Sequence, residues 1–203
     1  KIKEEMSGSE GFNFSIEQKE GNRYGVWEAQ EVSGRQLIQY TITALTQRVE
    51  YELPDGIKIQ ARETYPPEVV RELGATELIQ TLDPAIGKLA RGLIQKHGND
   101  ASGIIREIYE FTAHKIKKAH FKGETSAVTT LQLGEGLCGG KARLFAALAR
   151  ACGIPARLMG GVLLKGGAKR ISHVWVEAFL GDQWVPFDPL NGQFAVLPEN
   201  YLL

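Results

Sequence analysis

Apolar and polar residues alternate along the first third of the chain, and further on the apolar positions take up helical spacing. Phe12, Phe14 and Ile16 alternate, Tyr24 to Ala29 follow a polar turn at Gly21-Asn22, and Ile38, Tyr40, Ile42 and Ala44 alternate after Ser33-Gly34. Period two between Gly, Asn and Ser breaks predicts antiparallel strands with one buried face. Residues 1–65 therefore read as a small β-rich module that packs or recognises, with no chemical cluster of its own. Tyr65-Pro66-Pro67 favours extended chain and sets the expected boundary with a second domain, 66–203.

Helical spacing follows. Asp83-Pro84 is an N-cap and N1 pair, leading to Ile86, Leu89, Ala90, Leu93 and Ile94 on one face. Gly98 ends that helix, and Asn99 or Asp100 starts another with Ile104, Ile105, Ile108, Phe111 and Ile116 inward. The basic run from His114 to Lys122 reads as a solvated helix face or a contact for an anionic partner.

The stretch from Gly134 to Ala142 is a glycine-rich approach to Cys138, after which Ala142, Leu144, Phe145, Leu148 and Ala149 take helical spacing. The helix closes at Cys152-Gly153-Ile154-Pro155. Cys138 thus falls at a helix N-terminus, where the dipole and unpaired N–H groups favour a thiolate and can stabilise an oxyanion. The plainer alternative is a small buried hydrophobe. Cys152, at the other end, sits where the dipole disfavours a thiolate. Fourteen residues of helix hold the two sulfurs' Cα atoms roughly 21 Å apart, so they cannot form a disulfide.

A nucleophile needs a base, and the base needs an orienting acceptor. Ser172 to Leu180 reads as a strand, Gly181-Asp182 as a two-residue turn, and Gln183 to Asp188 as the returning strand. With Leu180 facing Gln183, Trp175 faces Asp188, and His173 becomes the diagonal neighbour of Asp188 on the same face. The alternative is a surface histidine and a turn aspartate before Pro189. The loop from Lys165 to Arg170, just before His173, reads as a solvated turn or a basic rim suited to acidic substrates.

Composition narrows the field. The 203 residues are 43% apolar and 24% charged, as in ordinary globular proteins. Lys plus Arg equals Asp plus Glu at 24 each, which argues against nucleic acid bound through bulk charge. The longest wholly apolar run, Leu144 to Ala149, is far short of a membrane span. His97, His114, His120 and His173 show no metal-ligand spacing. The opening Lys-Ile-Lys-Glu-Glu lacks an initiator Met and a signal segment, as expected of a piece of a longer protein or a trimmed form.

Several of these motifs resemble a known family. Gly136-Leu137-Cys138 through Ala142, Gly153-Ile154-Pro155-Ala156-Arg157, Gly160-Gly161, His173-Val174-Trp175-Val176-Glu177 and Trp184 to Pro189 resemble the core of transglutaminase-like proteins. The resemblance spans about 80–192. It implies an α+β fold, a papain-like core of helices packed on an antiparallel sheet, preceded here by the β-rich module. It also implies Cys138 as nucleophile, His173 as base and Asp188 as orienter. Cys138 to Phe145, Phe187 to Asn191, Leu197 to Tyr201, and more weakly Trp27-Glu28-Ala29 and Gly34-Arg35-Gln36, resemble a bacterial subfamily fused to seven transmembrane helices and commonly described as inactive.

The resemblance implies acyl transfer or hydrolysis at peptide or glutamine-type amides, with a protein or peptide as substrate and no metal or organic cofactor. The alternative is a pseudoenzyme whose groove binds a peptide or neighbouring domain. The narrower resemblance implies an extracytoplasmic, periplasmic domain of an inner-membrane protein, touching the membrane only through segments outside this chain. Many active relatives carry an acidic or aromatic residue where this chain has Gly140 and Lys141, and Gln132 is the nearest upstream candidate for a side-chain oxyanion donor.

Overall fold

The computed structural model describes residues 2–7, 11–19, 22–120, 123, 125–164 and 170–202. The contacts divide into two compact units, 1–45 and 46–203.

The first unit contains β1 (Ile2–Ser7), β2 (Asn13–Lys19), β3 (Asn22–Glu28) and β4 (Gln39–Ala44). β1 pairs antiparallel with β4, and β2 with β3. The hairpin places Phe14 opposite Trp27, with ring centroids 4.9 Å apart. A Cβ on Gly25 would meet both rings at 3.0 to 3.1 Å, so the glycine leaves room for this pair. The buried face expected along β2 is confined to this end. Phe12 and Phe14 are half-buried, whereas Ile16 is 44% exposed, because two paired strands offer no second layer to cover it.

The second unit begins earlier than Pro66-Pro67 suggests. β5 (Val49–Glu50) pairs with a strand near the C-terminus at Val196–Leu197. Tyr51 N–H donates to Ala195 O at 2.9 Å, and Ala101 N–H to Ile57 O at 2.7 Å. These long-range bonds tie residues 49–57 to the rest of the second unit, and the break expected at 65/66 falls at 45/46 instead.

Next come α1 (Pro67–Val70), α2 (Pro84–His97) and α3 (Ala101–Glu110). The Asp83 carboxylate accepts from Ala85 N–H at 2.8 Å, and Gly98, with φ 60°, ends α2. Ile104, Ile105 and Ile108 of α3 are wholly buried. A π turn over 111–115 then leaves the helix, so the basic run does not continue as a helix face. Lys117 and Lys118 instead form β6, paired in parallel with β7 (Glu135–Gly136), while α4 (Ala127–Leu133) lies between them in sequence.

α5 (Cys138–Ala151) is the central helix. Residues 144–149 are buried on every side, so the helix packs on other elements all round. It lies against a five-stranded antiparallel sheet built from β8 (Ala156–Leu164), β9 (Arg170–Leu180), β10 (Gln183–Asp188), β11 (Gln193–Phe194) and, after β12 (Val196–Leu197), β13 (Tyr201–Leu202). The strand order is β11-β10-β9-β8-β13. Phe145 of α5 stacks on Phe187 of β10 with centroids 5.3 Å apart.

The far end of α5 is tied down by buried Arg150. Its guanidinium donates to Ala156 O at 2.7 Å, Gly74 O at 2.5 Å and Glu72 Oε2 at 2.6 Å. Among the described residues, no helix is long and apolar enough to cross a membrane.

Candidate active site

Cys138 is the first residue of α5. Leu137, the N-cap, is extended (φ −94°, ψ −168°) and supplies no side-chain cap, and the first helical bond runs from Lys141 N–H to Leu137 O at 2.9 Å. The N–H groups of Cys138, Gly139 and Gly140 precede that bond and have no acceptor within the helix. They border a cleft of about 220 Å³ lined by Gly123, Thr125, Leu137, Cys138, Arg143 and Val174 as well as Gly139 and Gly140. A Cβ at Gly140 would lie 2.5 Å from Thr125 Oγ1 and 2.6 Å from Thr130 Oγ1, so only glycine lets the helix start seat here without displacement.

The β9–β10 hairpin delivers the other two residues. Gly181 and Asp182 both have positive φ (57° and 65°), the pattern of a type I′ turn, and Leu180 pairs with Gln183 as the spacing predicts. That register runs on to Val176 opposite Phe187, placing His173 and Asp188 on one face. Both are buried, and His173 Nε2 lies 2.6 Å from Asp188 Oδ2. An ionised carboxylate can only accept, so the proton of this bond is on Nε2. Nδ1 is then the ring nitrogen left for the thiol.

Charge is partitioned accordingly. Hydrogen bonding to His173 and to backbone N–H groups of Val174 and Gly139 lowers the Cys138 pKa, against burial that raises it. Burial opposes charge on His173, yet hydrogen bonds to Asp188 and Cys138 outweigh it and lift the imidazole to about 9. Burial also works against an ionised Asp188, but donors from His173, Tyr201 and Asn191 hold its pKa below the usual carboxylate value. Both shifts move the pair in the direction of a thiolate beside an imidazolium, backed by a carboxylate.

Two partners had no place in the sequence-derived triad. Tyr201 O–H donates to Asp188 Oδ2 at 2.5 Å, and Asn191 Nδ2 donates to the same oxygen at 2.8 Å. Asp188 Oδ1 accepts from the backbone N–H of Leu190 and Asn191 at 2.9 and 3.2 Å. Both residues fall in stretches that carry the narrower resemblance, but no spacing rule connects Tyr201 with Asp188. Lys141 is buried one turn beyond Cys138, its Nζ donating to Ala113 O at 2.9 Å.

The remaining candidates are placed elsewhere. Gln132 is exposed on α4 and is not among the residues lining the cleft. Cys152 is buried, and burial pushes its thiol up to about 12, which makes it inert. Residues 165–169 of the basic loop lie outside the described residues. Among the described residues, no group of three or more His, Cys, Asp or Glu is arranged to hold a metal ion.

Residues 87–189 match the transglutaminase-like superfamily, and the chain belongs to it. Residues 1–120 match the family described as inactive transglutaminase fused to 7 transmembrane helices. Among solved structures, the fold is similar to a "Putative Cysteine Protease" from Cytophaga hutchinsonii, with a TM-score of 0.67 and 19% identity over 92% of this chain and 64% of that one. It is also similar to the periplasmic domain of TgpA from Pseudomonas aeruginosa, with a TM-score of 0.51 and 18% identity over 93% of this chain and 86% of that one. At such identities the likeness is one of fold, which is the mixed helical and antiparallel papain-like architecture expected. Comparison with curated protein sequences yields no match.

Proposed function

We propose that this domain is a thiol acyl-transfer enzyme acting on peptide or glutamine-type amides, with Cys138 as nucleophile, His173 as acid–base and Asp188 as orienter. The observation that carries the reading is Cys138 at the open, cleft-facing start of α5, beside a buried His173 held 2.6 Å from Asp188, and the opposed pKa shifts of Cys138 and His173 agree with it. The Cys138 thiolate attacks the amide carbonyl carbon, and the oxygen takes the negative charge beside the N–H groups at the start of α5. His173 passes its proton to the departing nitrogen as the C–N bond breaks, leaving a thioester on Cys138. Water or an amine then loses a proton to His173 and attacks the thioester, releasing an acid or a new amide and restoring the thiolate.

A second reading is a pseudoenzyme whose cleft binds a peptide, and the description "inactive" attached to the matching family favours it. That match covers residues 1–120, whereas Cys138, His173 and Asp188 lie within the stretch 87–189 that matches the transglutaminase-like superfamily core. The same family and the periplasmic TgpA domain support placing this domain on the outer side of a bacterial inner membrane, anchored through segments outside this chain.

Incubation with glutamine-containing peptides, with and without a primary amine, tests the reaction. Ammonia release, amine incorporation or peptide cleavage that disappears in Cys138→Ala is expected. The absence of all three, with saturable peptide binding retained, would favour the pseudoenzyme.

A further inference from the structure

The Asp188 carboxylate is held by more than the histidine it orients. Oδ2 accepts from three donors, His173 Nε2, Asn191 Nδ2 and Tyr201 O–H, and the phenol comes from the last strand of the domain. The Tyr201 ring also lies flat against the imidazole, 5.6 Å between centroids with an interplanar angle of 7°, and Trp175 stacks on Tyr201 at 5.2 Å. Tyr201 thus touches both members of the pair, one through its oxygen and the other through its face. Asn191 Nδ2 donates to the Tyr201 oxygen at 3.0 Å as well as to Asp188 Oδ2 at 2.8 Å, which closes the amide, phenol and carboxylate into one small cluster.

We propose that Tyr201 is a positioning residue: its hydroxyl fixes Asp188 Oδ2 at His173 Nε2 while its ring backs the imidazole, so that Nδ1 stays turned to Cys138. The hydroxyl acts as donor throughout, since burial and then the neighbouring Asp188 charge raise the phenol's pKa. The other ionisable groups facing this cluster are Cys138 and Lys141 of α5 and Tyr109 of α3. Lys141, like the Tyr201 donor, favours the carboxylate. Tyr109 stays neutral, pushed up to about 12 by burial and by Asp188. The consequence for rate rests on the proposed acyl-transfer function, whereas the consequence for the imidazole does not.

The test is an NMR titration of His173 in wild type, Tyr201→Phe and Asn191→Ala, beside the pH dependence of Cys138 alkylation by iodoacetamide. Tyr201→Phe keeps the stack and removes only the donor. The Tyr201 hydroxyl bonds Asp188 and reaches His173 only through the placement of that carboxylate, so the worth of one hydrogen bond to a charged group, about one pH unit, is a ceiling on the change at His173. The His173 pKa is expected to fall by up to about one unit in Tyr201→Phe, and by less in Asn191→Ala. The acid limb of alkylation is expected to move up by a similar amount.

An unchanged or higher His173 pKa in folded Tyr201→Phe would overturn the assignment, because removing a competing donor would then be all the substitution does. A Tyr201-dependent imidazole beside an unreactive Cys138 would support the assignment while counting against the enzyme.

Discussion

His173 and Asp188 meet at 2.6 Å, although fifteen residues separate them, because a two-residue turn sets a register that puts them diagonally on one face of a hairpin. The carboxylate contributes both orientation and charge. Asp188→Asn keeps an oxygen that can accept from Nε2–H but removes the charge that favours the imidazolium. The His173 pKa is expected to fall by two units or more from about 9. Alkylation of Cys138 at pH 6 should slow by about tenfold, since the thiolate loses its counter-charge. Histidine NMR and iodoacetamide kinetics on the same sample check both.

In the proposed acyl transfer, the raised His173 pKa sets an alkaline limit on turnover. The imidazolium is present below about 9 and is lost as pH rises through that value. Protonation of the leaving nitrogen fails with it. On the acid side, activity falls as the thiolate takes up a proton, below the ordinary cysteine range because the Cys138 pKa is lowered. A plot of kcat/KM against pH should be a bell with its upper limb near 9, both limbs belonging to the coupled pair.

Gly161 controls how closely the last strand approaches. It pairs with His173 across β8 and β9, and a Cβ there would meet Leu202 O at 2.3 Å and the Trp175 ring at 2.9 Å. Backbone cannot yield as a side-chain tip does, so Gly161→Ala must push β13 away and draw Tyr201 off Asp188. The His173 pKa in Gly161→Ala is expected to fall at least as far as in Tyr201→Phe, with stability lowered by about 1–3 kcal/mol for overpacking. Denaturant unfolding and the NMR titration report the two effects separately.

Arg150 offers a control remote from the chemistry. Arg150→Met leaves Glu72 and the carbonyls of Gly74 and Ala156 without their donor. Arg150 is buried but Glu72 is partly exposed, so leaving these acceptors without their donor costs about 1–3 kcal/mol. Urea unfolding should show that loss, while the pH dependence of Cys138 alkylation in the folded protein stays at its wild-type position.

The helices and the hairpin were legible because their signals are local: Asp83-Pro84 and Gly98 bound α2, and Gly181-Asp182 fixes the register that brings His173 to Asp188. The boundary at 65/66 misled because Pro66-Pro67 reports only local backbone preference. The pairing of β5 with β12, which draws residues 46–65 into the second unit, joins positions about 150 residues apart. Tyr201 escaped for the same reason, being brought to Asp188 by the pairing of β13 with β8. Proximity in sequence points to Gln132, but α4 carries it to an exposed position.

The proposed activation of Cys138 by His173 is read by the rate of Cys138 alkylation by iodoacetamide as a function of pH, in wild type and in His173→Ala. Cys152 is buried and so provides little background. Wild type is expected to alkylate rapidly well below pH 7, and His173→Ala to return toward the ordinary thiol titration at about 8.5. A wild-type thiol that titrates near 8.5 regardless of His173, or one that iodoacetamide does not reach, would contradict the proposed activation.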